Sequence, residues 1–182
     1  MNQKRAIVWF RNDLRLDDNS TLVQALKDSE EIIPVYCLDQ SQFEKTAYQS
    51  PKTGYFRTKF LLESVRSLQK DLQSLGSDLL FLLGKPSERL VEIAEKLEVN
   101  RIYFSEEVGT EELQEASSLE KSAWAKGIGT EQVWQSTLYH LDDLPFPVSQ
   151  TPEVFTQFRK EVEKLSKVRP SVDKPKKLSL LF

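Results

Sequence analysis

Cysteine and histidine are nearly absent from this 182-residue chain, with one of each, Cys37 and His140. A single thiol excludes an internal disulfide, and its place inside the apolar run IIPVYCL reads as core filler. One imidazole beside Asp142 and Asp143, with no second histidine and no cysteine pair, lacks a zinc ligand set and reads as a structural hydrogen-bonding group. Glycine is scarce too, at six residues, and no G-x-G-x-x-G, Walker or G-x-S-x-G pattern occurs. A basic surplus is missing: the formal net charge is −3, which argues against autonomous binding to nucleic acid. No apolar run approaches the length that spans a bilayer, and no signal peptide precedes the first strand pattern, so a cytoplasmic chain with no membrane contact is expected.

What is present begins with AIVWFRNDLRLDDN, residues 6–19. Ile7, Val8, Trp9 and Phe10 form a run too short for a helix and rich in strand formers, as in a strand covered on both faces. Arg11, Asn12, Asp13, Arg15, Asp17, Asp18 and Asn19 then crowd a connection without a glycine. In an open α/β sheet the loop leaving the first strand's carboxyl end lies where ligands and partner domains dock. Two arginines interleaved with three aspartates suit a self-neutralising network that fixes the loop against something else; surface ion pairs that only solvate a turn have the same spacing.

Further strand patterns fall at 32–38, 79–83, 101–104 and 132–134, with helical patterns between. Asp18, Asn19 or Ser20 can cap a first helix carrying Leu22, Ala25 and Leu26. Leu61, Val65, Leu68, Leu72 and Leu75 form one stripe of a helix over 57–75, and Gly76 suits its left-handed cap. Pro86 and Ser87 open a third helix with Leu90, Ala94 and Leu97 inward; Leu113, Ala116, Leu119 and Ala123 line a fourth. Strand alternating with helix predicts an α/β fold, a Rossmann-like three-layer α/β/α domain on a five-stranded parallel sheet. Thr151 and Pro152 suit the start of a last short helix with Phe155, Phe158, Val162 and Leu165. The segment SKVRPSVDKPKKLSLLF, residues 166–182, reads as a solvated linker. Trp9, Trp124 and Trp134 are expected in core or interface positions. Glu106, Glu107, Glu111 and Glu112 follow the fourth strand; the last two suit a helix start, whereas Glu107 falls in the loop, where a carboxylate can accept from an amino-heterocycle.

WFRNDLRLDDN resembles the opening motif of the photolyase/cryptochrome family, and KTGYFRTKFLLESV, YFSEEVGTEE, STLYHLDDLPF and VFTQFRKEVEK resemble blocks of its cryptochrome-DASH branch. The blocks keep family order from residue 6 to about 165. The resemblance implies that residues 1–165 are the family's N-terminal α/β antenna domain and 166–182 the interdomain linker. The family's helical C-terminal domain, which binds FAD and accepts the pyrimidine dimer, is absent, so the chain is expected not to repair DNA alone and to need that domain in cis or as a separate partner. Light-driven DNA repair or blue-light photoreceptor signalling belongs to the full-length flavoprotein. The implied antenna chromophore is methenyltetrahydrofolate, with Glu107 at its pterin. The loop residues Arg11, Asn12, Asp13, Arg15, Asp18 and Asn19 are expected at the domain interface. Two departures stand out: Asp17 replaces the histidine common before Asp-Asn, and Leu38, Asp39, Gln40, Ser41 replace Phe-Asp-Pro-Arg in a loop lining the cleft.

Two other readings compete. One is a standalone module that binds no chromophore and acts by homodimerisation or partner binding through the surface left uncovered. The other is a nucleotide-binding domain akin to electron-transfer flavoproteins or universal stress proteins, which the missing glycine-rich loop disfavours.

Overall fold

A computed structural model describes residues 4–178. The apolar end of the tail, 179–182, lies outside the described residues. Five strands run in the order β1 (Arg5–Phe10), β2 (Glu31–Leu38), β3 (Leu80–Leu83), β4 (Arg101–Ser105) and β5 (Gly129–Val133). The helices are α1 (Ser20–Asp28), α2 (Tyr55–Ser74), α3 (Pro86–Lys96), α4 (Thr110–Trp124) and α5 (Phe155–Leu165). All strand pairs are parallel, in the spatial order β3-β2-β1-β4-β5, so the expected five-stranded parallel sheet is present with β1 at its centre.

The apolar run of β1 divides by the two-residue period of a strand. Ile7 and Trp9 enter one core with Leu90 and Ala94 of α3 and Leu119 and Ala123 of α4. Ala6, Val8 and Phe10 enter the other, with Leu22 of α1 and Leu68 and Leu72 of α2. Burial on both faces is why the run is continuous rather than alternating. Pro34 is tolerated inside β2 because β3 begins opposite Val35, which leaves Pro34 with β1 alone beside it.

Of the three candidate caps, Asn19 holds α1: its Oδ1 accepts the Leu22 N–H at 2.9 Å. At the end of α2 the Gly76 N–H reaches the Gln73 carbonyl and the Ser77 N–H the Leu72 carbonyl, both at 3.0 Å, with φ of Gly76 at +80°. The same pair of bonds closes α3 around Glu98, a non-glycine residue held at φ +53°.

Several expectations are corrected. β5 runs from Gly129 to Val133, not 132–134, because its ladder with Arg101–Ser105, not an apolar run, sets its start. Leu113 is 49% exposed, since α4 turns only Ala116, Leu119 and Ala123 inward. Trp9 is in the core, but Trp124 is 84% exposed at the end of α4. The last helix begins after Val154, not at Thr151, and buries Val162 alone; Thr151 closes a short 3-10 turn by donating to the Val148 carbonyl. The segment from 166 to 178 lies along the domain. Arg169 clasps Asp143 with two bonds, Val172 exchanges two bonds with Asp18, and Leu178 is buried against the α1–α2 layer.

Nothing lies within 4 Å of where a Cβ on Gly76 would stand, so backbone strain is the whole cost of adding one. Gly76→Ala is therefore expected to lower unfolding free energy by about 1 kcal/mol, and Glu98→Gly to raise it by less. Urea unfolding of both variants is the check, and unchanged midpoints would show that these caps carry no strain.

Candidate functional site at the strand switch point

β1 and β4 are neighbours, yet the chain leaves them in opposite directions across the sheet, so a crevice opens outside their carboxyl ends. Arg11, the first residue past β1, fills it. Its Nη1 donates to the Ser105 carbonyl at 3.3 Å, and its Nη2 to the Glu112 carbonyl and to Glu115 Oε2, both at 3.2 Å. Glu107 Oε2 stands 3.1 Å from Nη2 as an ion contact that is not directed as a hydrogen bond. The guanidinium also lies 4.8 Å from the Trp9 ring centre and 5.9 Å from that of Phe104. Only 4% of the side chain is exposed. A fixed cation thus occupies the place where open α/β sheets cradle phosphate on backbone, and no glycine is needed.

The other loop residues serve two ends. Asn12 Nδ2 donates to Glu107 Oε1 at 2.7 Å, so Arg11 and Asn12 together address both oxygens of that carboxylate. Asp13, buried, accepts the Arg11 N–H at 2.9 Å and the Gln135 amide at 2.7 Å, while Gln135 Oε1 takes the Ser20 N–H at 2.7 Å. Asn19 Nδ2 donates to the Arg15 carbonyl at 3.0 Å. Arg15 is exposed and donates to the Asp18 carbonyl, and Asp18, at φ +49°, faces Val172. The carboxylates around Arg11 therefore come from the β4–α4 side of the crevice and not from its own loop.

Glu115 and Gln135 were not singled out from the sequence. Glu115 sits one turn into α4 among other acidic residues, and Gln135 follows β5 with no motif around it. The only available signal was that a buried Arg11 must find carboxylates. Lys52 in the long β2–α2 connection reaches Glu111 at 2.9 Å and ties that loop to the start of α4. Two polar atoms in this cluster, Ser105 Oγ and Glu107 Oε2, are buried without a hydrogen bond. Cys37 is set apart as core: burial pushes its thiol up to about 12, and its Sγ faces the Gly84 carbonyl at 3.3 Å. His140 Nδ1 accepts the Asp142 N–H at 3.2 Å, while Asp143 is occupied by Arg169. Among the described residues no group of three or more His, Cys, Asp or Glu side chains could hold a metal ion.

Burial raises the Glu115 carboxyl above its ordinary value; Arg11 pulls it down, and Asp39 and Glu107 push it up further. The folded state then keeps this proton to higher pH than the unfolded chain does. Its contribution to stability is complete below 4.5, the ordinary value, and is lost as pH rises through the raised one. Glu115→Gln should flatten that decline in urea unfolding between pH 4.5 and neutrality; slopes identical to the parent's would remove Glu115 from the account. Arg11→Ala removes the cation from Glu107 and Glu115 and the donors from Glu115 and two carbonyls, and is expected to cost about 3–5 kcal/mol by the same assay. Arg11→Lys should recover only part, since an ammonium lacks the planar fork.

Comparison with known proteins identifies the family. A family model described as DNA photolyase matches residues 6–177. The chain is 40% identical over 178 residues to a cryptochrome DASH of Gloeobacter violaceus, across 98% of this chain and 36% of that protein. The crystal structure of a Synechocystis cryptochrome superposes with a TM-score of 0.94 at 40% identity, covering 99% of this chain and 38% of that one. An archaeal photolyase from Sulfolobus tokodaii, whose structure is described as holding two FAD molecules and implying a novel light-harvesting cofactor, superposes at 0.82 with 26% identity, over 97% of this chain and 38% of its own. The chain thus spans a little over a third of the length of the relatives it matches.

Proposed function

The chain belongs to the DNA photolyase family, and on that premise we propose that it is the N-terminal antenna-chromophore domain of a DASH-like flavoprotein. Residues 1–165 form that domain and 166–182 the linker to a helical FAD-binding domain, supplied in cis or by a separate chain. Light-driven DNA repair or photoreceptor signalling, and any contact with DNA, then belong to the assembled protein. The supporting observation is Glu107, held at the rim of the β1–β4 crevice between Arg11 and Asn12.

The residues present fit a ligand of the methenyltetrahydrofolate type, whose pterin carries amino and ring N–H donors. Such a chromophore, when bound, absorbs light and passes the excitation to a flavin. Glu107 Oε1 accepts one bond, from Asn12, and a carboxylate oxygen can accept two; Oε2 is buried with no directed hydrogen bond. The Glu107 side chain is 14% exposed, enough to meet a ligand at the rim while its interior side stays on Arg11. Arg11 fills the crevice beneath, and Asn12 fixes the carboxylate's rotation. A charge-assisted pair of this kind is stronger than a neutral one.

Titration of the purified chain with methenyltetrahydrofolate, read by absorbance and fluorescence with FAD in parallel, tests the reading. Saturable folate binding is expected, weakened at least about tenfold by Glu107→Gln, the effect of losing one hydrogen bond to a charged group. Binding that ignores Glu107→Gln would move the ligand elsewhere, and no binding by the parent chain would overturn a retained antenna site.

A further inference from the structure

Arg11 and Glu107 stand at the carboxyl ends of the strands; a second cleft, of about 630 Å³, opens at the amino ends. Arg5 at the start of β1, Arg101 at the start of β4, and Lys27 and Asp28 at the end of α1 line it together with Lys4. At roughly 3.3 Å per residue along β1, it lies about 20 Å from Arg11. Backbone bonds fix its base. The Lys4 carbonyl accepts the N–H groups of Glu30 and Glu31 at 2.9 and 3.3 Å, and the Arg5 carbonyl accepts the Asn100 N–H at 3.0 Å. Asn100 Oδ1 takes the Arg5 N–H at 3.2 Å, which leaves its amide NH₂ as a donor.

Four cations and one carboxylate share this lining, and they differ in what already holds them. Arg5 is committed, its Nε 2.8 Å from Glu31 Oε2 and its Nη1 donating to the Leu97 carbonyl at 3.2 Å. Arg101 is held loosely, with Nη1 3.5 Å from Glu131 Oε2 and both side chains about half exposed. Lys4 and Lys27 are exposed, and neither forms an ion pair among the described residues. Asp28 Oδ2 accepts the Gln24 amide at 2.8 Å and the Tyr103 hydroxyl at 3.1 Å. Those bonds, with Arg101 and Lys27 nearby, hold its carboxyl below the ordinary carboxylate range, so it is ionised at neutral pH. Its Oδ1 accepts no bond among the described residues.

These groups suit a phosphate and a hydroxyl on one small molecule. A phosphate monoester carries a charge of about −1.5 to −2 near neutrality, which two ammonium groups match. A carboxylate beside them repels a bare phosphate but accepts well from a hydroxyl. The volume falls within the roughly 300–1,000 Å³ of small-molecule sites. Tyr103 is the one aromatic side chain in the lining, and at 1% exposure it offers no face on which a nucleobase could stack. We propose that the cleft at the amino edge of the sheet binds a phosphorylated sugar, with Lys4, Lys27 and Arg101 on the phosphate and Asp28 Oδ1 on a sugar hydroxyl. The site shares no residue with the β1–β4 crevice and stands apart from the antenna reading.

Isothermal titration of the purified chain with ribose 5-phosphate tests this, with inorganic phosphate, ribose and AMP in parallel. Saturable binding of ribose 5-phosphate is expected, at least tenfold tighter than that of inorganic phosphate or ribose. Lys4→Gln/Lys27→Gln should weaken it at least tenfold while leaving the urea midpoint unchanged, since both side chains are exposed. Asp28→Asn should weaken ribose 5-phosphate at least threefold and leave inorganic phosphate as tight or tighter. Amide NMR of the parent chain should show ligand-induced shifts at Ser29, Asn100 and Arg101, and Glu107→Gln should not alter them. No saturable binding, binding indifferent to the lysine substitutions, or shifts confined to Asn12 and Glu107 would each overturn the site. The sugar assignment falls if Asp28→Asn treats both ligands alike, which would leave a plain phosphate site. It falls equally if AMP binds tenfold tighter than ribose 5-phosphate, which would make the occupant a nucleotide.

Discussion

A guanidinium with 4% of its side-chain surface in water constrains the whole carboxyl edge of the sheet. Desolvating Arg11 is costly unless its donors are met in good geometry. Every partner that meets them lies on the far side of the crevice, in Ser105, Glu107, Glu112 and Glu115. The end of β1, the end of β4 and the first turns of α4 are therefore fixed to one another by one side chain. Asp13 extends the same constraint, since its carboxylate joins the Arg11 backbone to Gln135 beyond β5, and Gln135 in turn holds the start of α1.

Filling the switch point has a consequence for ligand chemistry. An open α/β sheet with a glycine-rich loop leaves space there for phosphate on backbone N–H groups. Here the space holds a cation of the protein itself, and the polar capacity left over sits higher, on Glu107. The acceptor character of that rim suits a donor-rich heterocycle better than an anion. The arginines of this loop are likewise committed to internal carboxylates and carbonyls.

The outer surface shows the opposite economy. α2 and α5 bury few of their large apolar side chains, and Phe155 and Leu165 stand exposed alongside the α2 aromatics. A domain whose core is this well satisfied does not need them inside.

The fold was legible because its signals are local. A four-residue apolar run, a 3.6-period stripe over Leu61 to Leu72, and a glycine after Leu75 each follow from sterics and solvation within a few residues. Where a local signal was weak, as in the polar strand β5 or the start of α5, pairing and packing at a distance moved the boundary. The site was legible only by half. Arg11, Asn12 and Glu107 announced themselves as charged or polar groups at strand ends. That Glu115 and Gln135 complete the cluster, that Leu113 faces water, and that the Arg11 guanidinium pairs with none of the aspartates of its own loop were decided by tertiary structure alone. The physical reason is that charge pairing depends on distance and burial in space, and residues 104 and 122 positions apart in the chain carry no mark of either.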